Sequence, residues 1–373
     1  MLRIDRRLIK NFDWIIFSVV IAIVLTGIMT IYSATRPLVE GETSHFYLKQ
    51  SLWLIIGVVA LFMMVSFDYV WLSRFSLLLF VVGITLLIIV FILGKVGMGA
   101  QRWLSIGPVT FQPSEFFKLI YIIMLSNQLS MMNSPIGTIS FFRLFILIVF
   151  LPFILLIKQP DLGTGLITLI VFFCLILAKG LHRKIIVLLV IIGLISLPFL
   201  GNILWEGLKD YQKSRLIAFL EPGADPTGIG YHISQSKITV GSGKFFGKGY
   251  LNGTQGPFRF LPEKHTDFIF AVFAEEWGFF GSFVLVSFYI VLILRGLHIA
   301  TNARDEFGKF LALGITCMFL TYFFVNIGMT LGIMPVVGIP LPFMSYGGTA
   351  LLSNLLSVGL LINIWTRRFE LFH

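Results

Sequence analysis

Apolar stretches of about 20 residues recur along the chain, separated by short polar segments. The hydrocarbon core of a bilayer is about 30 Å thick, so a helix of roughly 20 apolar residues crosses it. The pattern predicts an all-α, polytopic integral membrane protein of about ten spans, folded as a single transmembrane domain over residues 1–373. The predicted spans are 14–34, 51–67, 74–94, 113–131, 142–158, 163–179, 184–204, 267–294, 309–331 and 346–365.

One polar segment, 205–264, is much longer than the others. It contains turn-forming residues, aromatic side chains and spaced glycines, which predict a structured cap that dips back toward the membrane. The two tails and the loops on their side carry more than twice the Lys and Arg of the opposite short loops. Because the positive-inside rule applies to short loops, we expect both termini in the cytoplasm and the long loop outside.

Composition agrees with a membrane protein. Hydrophobic residues make up 57% of the chain and charged residues only 12%, whereas soluble domains contain roughly 25% charged residues. The net charge of +10 does not indicate nucleic-acid binding, because no soluble basic domain is present to provide it. Cys174 and Cys317 each lie in an apolar run and give neither a disulfide framework nor metal-ligand spacing.

Ionisable residues within or beside a span indicate function because burying charge in a membrane is costly. Glu115 and Lys118 begin the fourth predicted span, Asp161 follows the fifth and Asp267 begins the eighth. In the predicted orientation these stretches, and the Gly- and Pro-rich segment 334–349, all lie at the outer face. We therefore predict a polar site that opens outward.

Two of these features allow a structural and a functional interpretation. Glu115 and Lys118 are spaced i, i+3, so they can form a structural ion pair or line a cavity that meets substrate. Asp267 can cap the eighth span, or it can be a carboxylate at the wet end of a cavity that acts as a general base. Glu275 and Glu276 lie deeper in that span, and we expect them to bond helix partners inside the bundle.

Segments rich in Pro and Gly beside the spans suggest broken helices. One surrounds Asp161, and the other, 334–349, is either a kinked element that lines a cavity or a simple tight loop. Basic residues on the same predicted face form a rim that suits an amphiphilic anion, a lipid with a phosphate head. This rim consists of Arg102, Lys118, Arg215, Lys237, Lys244, Lys248, Arg259 and Lys264.

Nine short motifs, in order along nearly the whole chain, resemble the SEDS family of shape, elongation, division and sporulation proteins. They are Gly-Ala-Gln-Arg-Trp-Leu (99–104), Gln-Pro-Ser-Glu-Phe-Phe-Lys (112–118), Lys-Gln-Pro-Asp-Leu-Gly-Thr (158–164), Gly-Tyr-His (230–232), Gln-Ser (235–236), Gly-Lys-Gly (247–249), Leu-Pro-Glu-Lys-His-Thr-Asp-Phe (261–268), Gly-Ile-Pro-Leu-Pro-Phe (338–343) and Ser-Tyr-Gly-Gly (345–348). The His-Thr-Asp-Phe context and short tails resemble the elongation branch, with the division branch as the alternative. Lys244 departs from the family pattern, which has a second Gly there.

The resemblance implies a peptidoglycan glycosyltransferase. Such a protein polymerises lipid II, an undecaprenyl-diphosphate disaccharide-pentapeptide, at the outer face of the bacterial cytoplasmic membrane during cell elongation. The implied partners are a class B penicillin-binding protein, which is a transpeptidase, and other membrane proteins of the elongation complex. The family's essential aspartate corresponds to Asp267.

The chemistry of this reaction suggests roles for the candidate residues. Asp267 would be the general base of an inverting transfer. A subset of the basic residues Lys118, Arg102, Arg215, Lys237 and Lys248 would stabilise the diphosphate. Glu115 would hold Lys118 and Asp161 would order the cavity wall. Trp103 and Ser345, from matched motifs, complete the predicted substrate-binding set. A divalent cation, Mg²⁺ or Mn²⁺, bridging Asp267 or Asp161 to the diphosphate is compatible with this scheme, but no clear ligand set supports it.

Two other functions fit some of these features. A flippase of the same lipid would also have about ten spans, broken helices and intramembrane charges. Its charges are expected at the midplane, however, and the sequence shows no inverted repeat. A non-catalytic scaffold of the elongation complex would not require the charged residues to converge.

Overall fold

The computed structural model describes residues 11–36, 45–97, 100–106, 109–159, 161–188, 210–221, 228–254 and 264–369. These residues are mostly helical, which confirms the predicted fold class. Eight helices are long and apolar enough to cross a membrane. They are Trp14–Thr35 (α1), Phe46–Ser66 (α2), Val70–Leu93 (α3), Thr138–Lys158 (α5), Leu162–Lys179 (α6), Ile269–Thr301 (α9), Glu306–Thr330 (α10) and Gly348–Thr366 (α11).

The fourth predicted span is also a helix, Pro113–Ser130 (α4), but it is not among these eight. It lies inside the bundle, where it packs against α3, α6, α10 and α11. Fourteen of its 18 residues are buried. A helix enclosed by other helices presents little surface to lipid, so it tolerates the polar side chains that lower its hydropathy.

Residues between the sixth and eighth predicted spans are described only in part. Residues 183–188 are helical, and the rest of the predicted span 184–204 lies outside the described residues. The long loop contains two helices, Asp210–Leu220 (α7) and Ile229–Ser242 (α8). Helix α8 packs against α7, α9 and α10, and the Ser236 hydroxyl donates to the Thr330 carbonyl at 2.7 Å. The described part of the loop is therefore structured, as predicted.

Three short strands, which the sequence pattern did not predict, connect α3 to α4. Lys95–Gly97 (β1), Ala100–Ile106 (β2) and Val109–Phe111 (β3) form an antiparallel sheet in the order β1-β2-β3. The three residues of β1 and of β3 give too few alternating positions for the period-2 pattern to be recognised. The sheet places Arg102 and Trp103 beside the N-terminus of α4.

Helix α9 is broken at Gly278, which has a φ of 65°. The loop that follows α8 replaces the hydrogen bonds lost at the break. The Phe279 and Phe280 N–H groups donate to the carbonyls of Lys244 and Phe245, at 2.9 and 3.0 Å. Two further N–H groups of the loop donate to backbone carbonyls in the turn of α9 just before the break. The long loop is thereby joined to the span that follows Asp267.

Candidate active site

A cavity of about 410 Å³ lies where the N-terminal ends of α4, α6 and α9 approach α7, α8, α10 and the segment 336–347. Seven of the ten predicted site residues line it: Arg102, Trp103, Glu115, Lys118, Asp161, Arg215 and Asp267. They come from separate parts of the sequence, so the fold brings together most of the residues that were singled out. Lys237, Lys248 and Ser345 are not among the lining residues.

Glu115 and Lys118 form an ion pair in the wall of the cavity. The Lys118 ammonium lies 2.8 Å from Glu115 Oε1, and both side chains are less than 8% exposed. The same ammonium lies 4.6 Å from the centre of the Tyr322 ring. The Ser353 hydroxyl donates to the Glu115 carbonyl at 2.8 Å. The pair is therefore both a structural contact between helices and a part of the cavity lining.

Asp161 connects two helix ends at the cavity. It is the N-cap of α6, and its Oδ1 accepts from the Thr164 N–H at 3.2 Å. Its Oδ2 accepts from the Ser114 hydroxyl at 2.9 Å, which ties α6 to the first turn of α4. This arrangement matches the ordering role that the sequence suggested, because the carboxylate fixes the relative position of two walls.

Asp267 does not occupy the N-cap position of α9. The N-cap residue is Phe268, whose side chain makes no capping hydrogen bond. One of the two interpretations of the sequence was that Asp267 caps this helix. That interpretation is wrong, because the N-cap position falls on the next residue. The carboxylate instead belongs to the cavity lining, where its Oδ2 and Nη1 of Arg215 lie 3.5 and 3.7 Å from a Cβ built on Gly338.

The backbone before α9 is held through three consecutive carbonyls. Tyr346 N–H donates to the His265 carbonyl at 2.9 Å, and the Ser345 hydroxyl donates to the Thr266 carbonyl at 2.6 Å. The Asn326 side-chain amide donates to the Asp267 carbonyl at 3.0 Å. The donors come from α10 and from the segment 334–347. The position of Asp267 is therefore fixed by the fold around it rather than by its own helix.

The segment 334–347 has the irregular backbone that its Pro and Gly content suggested. Gly338 and Phe343 have φ angles of 75° and 68°. The Ser345 hydroxyl accepts from the Leu341 N–H at 2.8 Å while it donates to Thr266. Ser345 therefore stabilises the backbone of the cavity wall, although it does not line the cavity itself. Burial raises the pKa of the Tyr346 phenol above its ordinary value, which keeps this lining residue a neutral hydroxyl.

Two predicted substrate-binding lysines lie elsewhere. The Lys248 ammonium is 2.6 Å from Glu275 Oε1, a carboxylate with no exposed side-chain surface. Glu275 Oε1 also accepts from the Thr254 hydroxyl at 2.8 Å, and Glu276 accepts from the Ser33 hydroxyl. The prediction of a helix partner is confirmed for Glu276, because Ser33 belongs to α1, whereas the closest partners of Glu275 lie in the loop that follows α8. Lys237 packs its side chain against Gly332.

Sequence reasoning missed two polar residues of α10. Tyr322 lines the cavity, and Asn326, one turn further on, is fully buried beside Asp267. An amide in the middle of an apolar span was the available signal for Asn326, because such a group must be bonded inside the bundle. Tyr322 gave no comparable signal, since tyrosine is common in helix cores.

No three His, Cys, Asp or Glu residues cluster as a metal site in the part of the chain that the structure describes. Asp161 and Asp267 line the same cavity. A divalent cation there would take one or two carboxylate ligands from the protein and the others from phosphate oxygens and water, a pattern common for Mg²⁺.

Comparison with known proteins identifies relatives over nearly the whole chain. The family model FtsW/RodA/SpoVE, described as "Cell cycle protein", matches residues 13–369. Peptidoglycan glycosyltransferase MrdB of Escherichia coli K12 is 42% identical over 290 residues, which cover 78% of this chain and 77% of the relative. Peptidoglycan glycosyltransferase RodA of Treponema pallidum is 33% identical and covers 96% of this chain and 99% of its own.

A solved structure has the same fold. Its chain superposes with a TM-score of 0.82 at 29% identity, over 96% of this chain and 99% of the other. That structure is described as showing the structural coordination of polymerization and crosslinking by a peptidoglycan synthase complex.

Proposed function

The chain belongs to the FtsW/RodA/SpoVE family and is a multi-pass membrane peptidoglycan glycosyltransferase, and on that premise we propose that it polymerises lipid II with Asp267 as the general base. The observation that carries this proposal is the place of the Asp267 carboxylate. It lines a polar cavity beside Arg215 while its backbone is fixed by three neighbouring groups.

The proposed reaction joins two lipid-linked sugars. Asp267 takes the proton of the acceptor 4-hydroxyl as its oxygen attacks the anomeric carbon of the donor. The bond from that carbon to the diphosphate breaks, and the undecaprenyl diphosphate leaves with the bonding electrons. Attack from the face opposite the leaving group inverts the anomeric centre. Preorganisation of the base matters because a shift of about 1 Å can cost a factor of about 100 in rate.

The leaving diphosphate is assigned to Arg215 and Arg102 before Lys118. Both arginines line the cavity, and a guanidinium can bind phosphate oxygens in a bidentate manner. The Lys118 charge is already balanced by Glu115 at 2.8 Å. A divalent cation, if one takes part, would add positive charge at the diphosphate, and Asp267 and Asp161 are the carboxylates that line its candidate site. The roles of the residues above do not depend on it.

The proposed setting is the bacterial cytoplasmic membrane, with both tails inside and the cavity open to the periplasm. The excess of Lys and Arg in the tails and their short loops supports this orientation. The proposed partner is a class B penicillin-binding protein, which crosslinks the strands that this chain makes. Support comes from the solved relative, which belongs to a complex that coordinates polymerization with crosslinking.

The direct test is lipid II polymerisation by the purified protein with its penicillin-binding partner. Wild type is compared with Asp267→Ala and Asp267→Asn. Asp305→Asn serves as the matched control, because Asp305 caps α10 and lies outside the cavity lining. Loss of a general base lowers rates by about 10² to 10⁴, so long glycan strands are expected from wild type and the control only.

Each other outcome has a definite meaning. If folded Asp267 variants still polymerise at the wild-type rate, the base is another carboxylate of the cavity, and Glu115 and Asp161 are the candidates. If wild type makes no strands but moves lipid II across vesicle membranes, the protein is a flippase. A partner that crosslinks preformed strands normally in the same mixture excludes an inactive partner as the cause.

A further inference from the structure

Two buried polar atoms in the cavity wall have no hydrogen-bond partner. They are the Tyr322 hydroxyl and Oε2 of Glu115. Tyr322 is 2% exposed and Glu115 is 6% exposed, and both line the cavity. Buried polar groups in folded proteins are almost always bonded, because an unpaired one loses its hydration without compensation. Two such groups in one cavity indicate that a ligand completes them.

The two atoms belong to one cluster around Lys118. The Lys118 ammonium bonds the other oxygen of Glu115 at 2.8 Å and lies 4.6 Å from the centre of the Tyr322 ring. The charges of Glu115 and Lys118 balance each other. Besides the remaining N–H groups of this ammonium, the cluster contains two atoms without a partner, the Glu115 oxygen as an acceptor and the Tyr322 phenol as a donor.

This combination selects the chemistry of the ligand. A phosphate would gain from the Tyr322 hydroxyl but would meet the bare oxygen of a carboxylate, which repels it. A neutral group that both donates and accepts satisfies both atoms. An amide provides an N–H for Glu115 and a carbonyl for Tyr322, and its methyl group suits apolar lining residues such as Ile167 and Ile339.

We propose that Tyr322 and Glu115 form a subsite for a sugar acetamido group of the substrate. This inference rests on the proposed function, because lipid II carries such a group on each of its two sugars. Tyr322 lies four residues before Asn326, which holds the Asp267 backbone. At 1.5 Å per residue, Tyr322 lies about 6 Å nearer the N-terminus of α10 than Asn326 does. The acetamido group is therefore buried while the reacting atoms stay near Asp267 and Arg215.

The test combines a protein change with a substrate change. Polymerisation is measured for wild type and Tyr322→Phe on lipid II and on two analogues, each lacking the acetyl group of one sugar. We expect Tyr322→Phe to lower kcat/KM for lipid II by about tenfold, the effect of one good hydrogen bond. On the analogue that lacks the bound acetyl group, wild type and variant should be equally slow.

Stability provides a second readout. Removing an unpartnered hydroxyl should leave the melting temperature unchanged or higher, whereas a structural tyrosine loses stability. The control is Tyr121→Phe on α4, because the Tyr121 hydroxyl donates to the Thr168 carbonyl at 3.1 Å and does not line the cavity. It should lower the melting temperature and leave kcat/KM unchanged.

Two results would overturn the subsite. One is a Tyr322→Phe variant with wild-type kcat/KM on lipid II. The other is a variant that loses the same factor on all three substrates. If wild type itself makes no glycan from lipid II, the proposed function fails instead. The wild-type measurement therefore distinguishes the two failures.

Discussion

The side-chain amide of Asn326 donates to the backbone carbonyl of Asp267 at 3.0 Å. Its second N–H donates to the Ile339 carbonyl at 2.8 Å. One buried side chain on α10 therefore joins the residue proposed as the base to the irregular segment 334–347 beside it. Asn326 has no exposed surface, so it acts by positioning other groups and does not touch substrate.

Replacing Asn326 with Leu, which is similar in volume, should remove both bonds and free two buried carbonyls. We expect stability to fall by about 1–3 kcal/mol and kcat to fall by about tenfold or more, with KM nearly unchanged, because the base is displaced rather than the substrate. Polymerisation kinetics and thermal unfolding in detergent measure the two effects.

The matched control is Asn127→Leu on α4. The Asn127 amide donates to the Ser76 hydroxyl at 2.7 Å, and the residue is also buried but lies outside the cavity lining. It should lose stability without a change in kcat. Equal losses of kcat in both variants would show that Asn326 has only a structural role.

The buried pair of Glu115 and Lys118 should show strong coupling in stability. Lys118→Met leaves the Glu115 carboxylate buried without its counter-ion, which is expected to cost about 3–5 kcal/mol. Adding Glu115→Gln removes the unpaired charge and should recover most of that loss. Unfolding of the two single variants and the double variant forms a mutant cycle. Additive losses would contradict a direct pair in the membrane.

Lys248 provides a test of the structure against the sequence-based assignment. Because its ammonium pairs with buried Glu275 at 2.6 Å, Lys248→Met should destabilise the protein by about 1–3 kcal/mol. Lys248→Met combined with Glu275→Gln should be closer to wild type. The KM for lipid II of the folded double variant should be unchanged. A large rise in KM would instead support the diphosphate-binding role that the sequence suggested.

The contact between the long loop and the break in α9 requires glycine. A Cβ on Gly247 would lie 2.1 Å from the Glu276 carbonyl oxygen, and the φ of Gly247 is 80°. Gly247→Ala should therefore sharply reduce the yield of folded protein, because backbone atoms cannot move aside as a flexible side chain can. Size-exclusion chromatography of solubilised membranes measures the folded fraction.

Gly241→Ala is the control in the same region. A Cβ at Gly241 has open space within 4 Å, and the residue lies in the last turn of α8. Alanine is favoured over glycine in helices by about 1 kcal/mol, so this variant should be as stable as wild type or slightly more so. Similar yields of the two variants would mean that the loop can dock without close backbone contact.

Much of the architecture follows from the sequence because the membrane imposes simple rules. Apolar runs of fixed length must be helices, since only helices satisfy their backbone hydrogen bonds in lipid. Because charge is costly in a membrane, Glu115, Lys118, Asp161 and Asp267 could be singled out from their positions, and all four line one cavity. The buried helix α4 and the short β1–β3 sheet gave weaker signals, because neither is shaped by contact with lipid.

The sequence by itself determined the helical membrane fold, the convergence of charged residues and, through its motifs, the family. Tertiary structure alone decided which basic residues reach the cavity, because Arg215 and Lys248 lie in one long loop and differ only in what they meet. Lys248 meets Glu275, while Arg215 lies beside Asp267 at Gly338. Local sequence patterns do not encode such pairings, since they join residues that are distant in the chain and depend on how the helices pack.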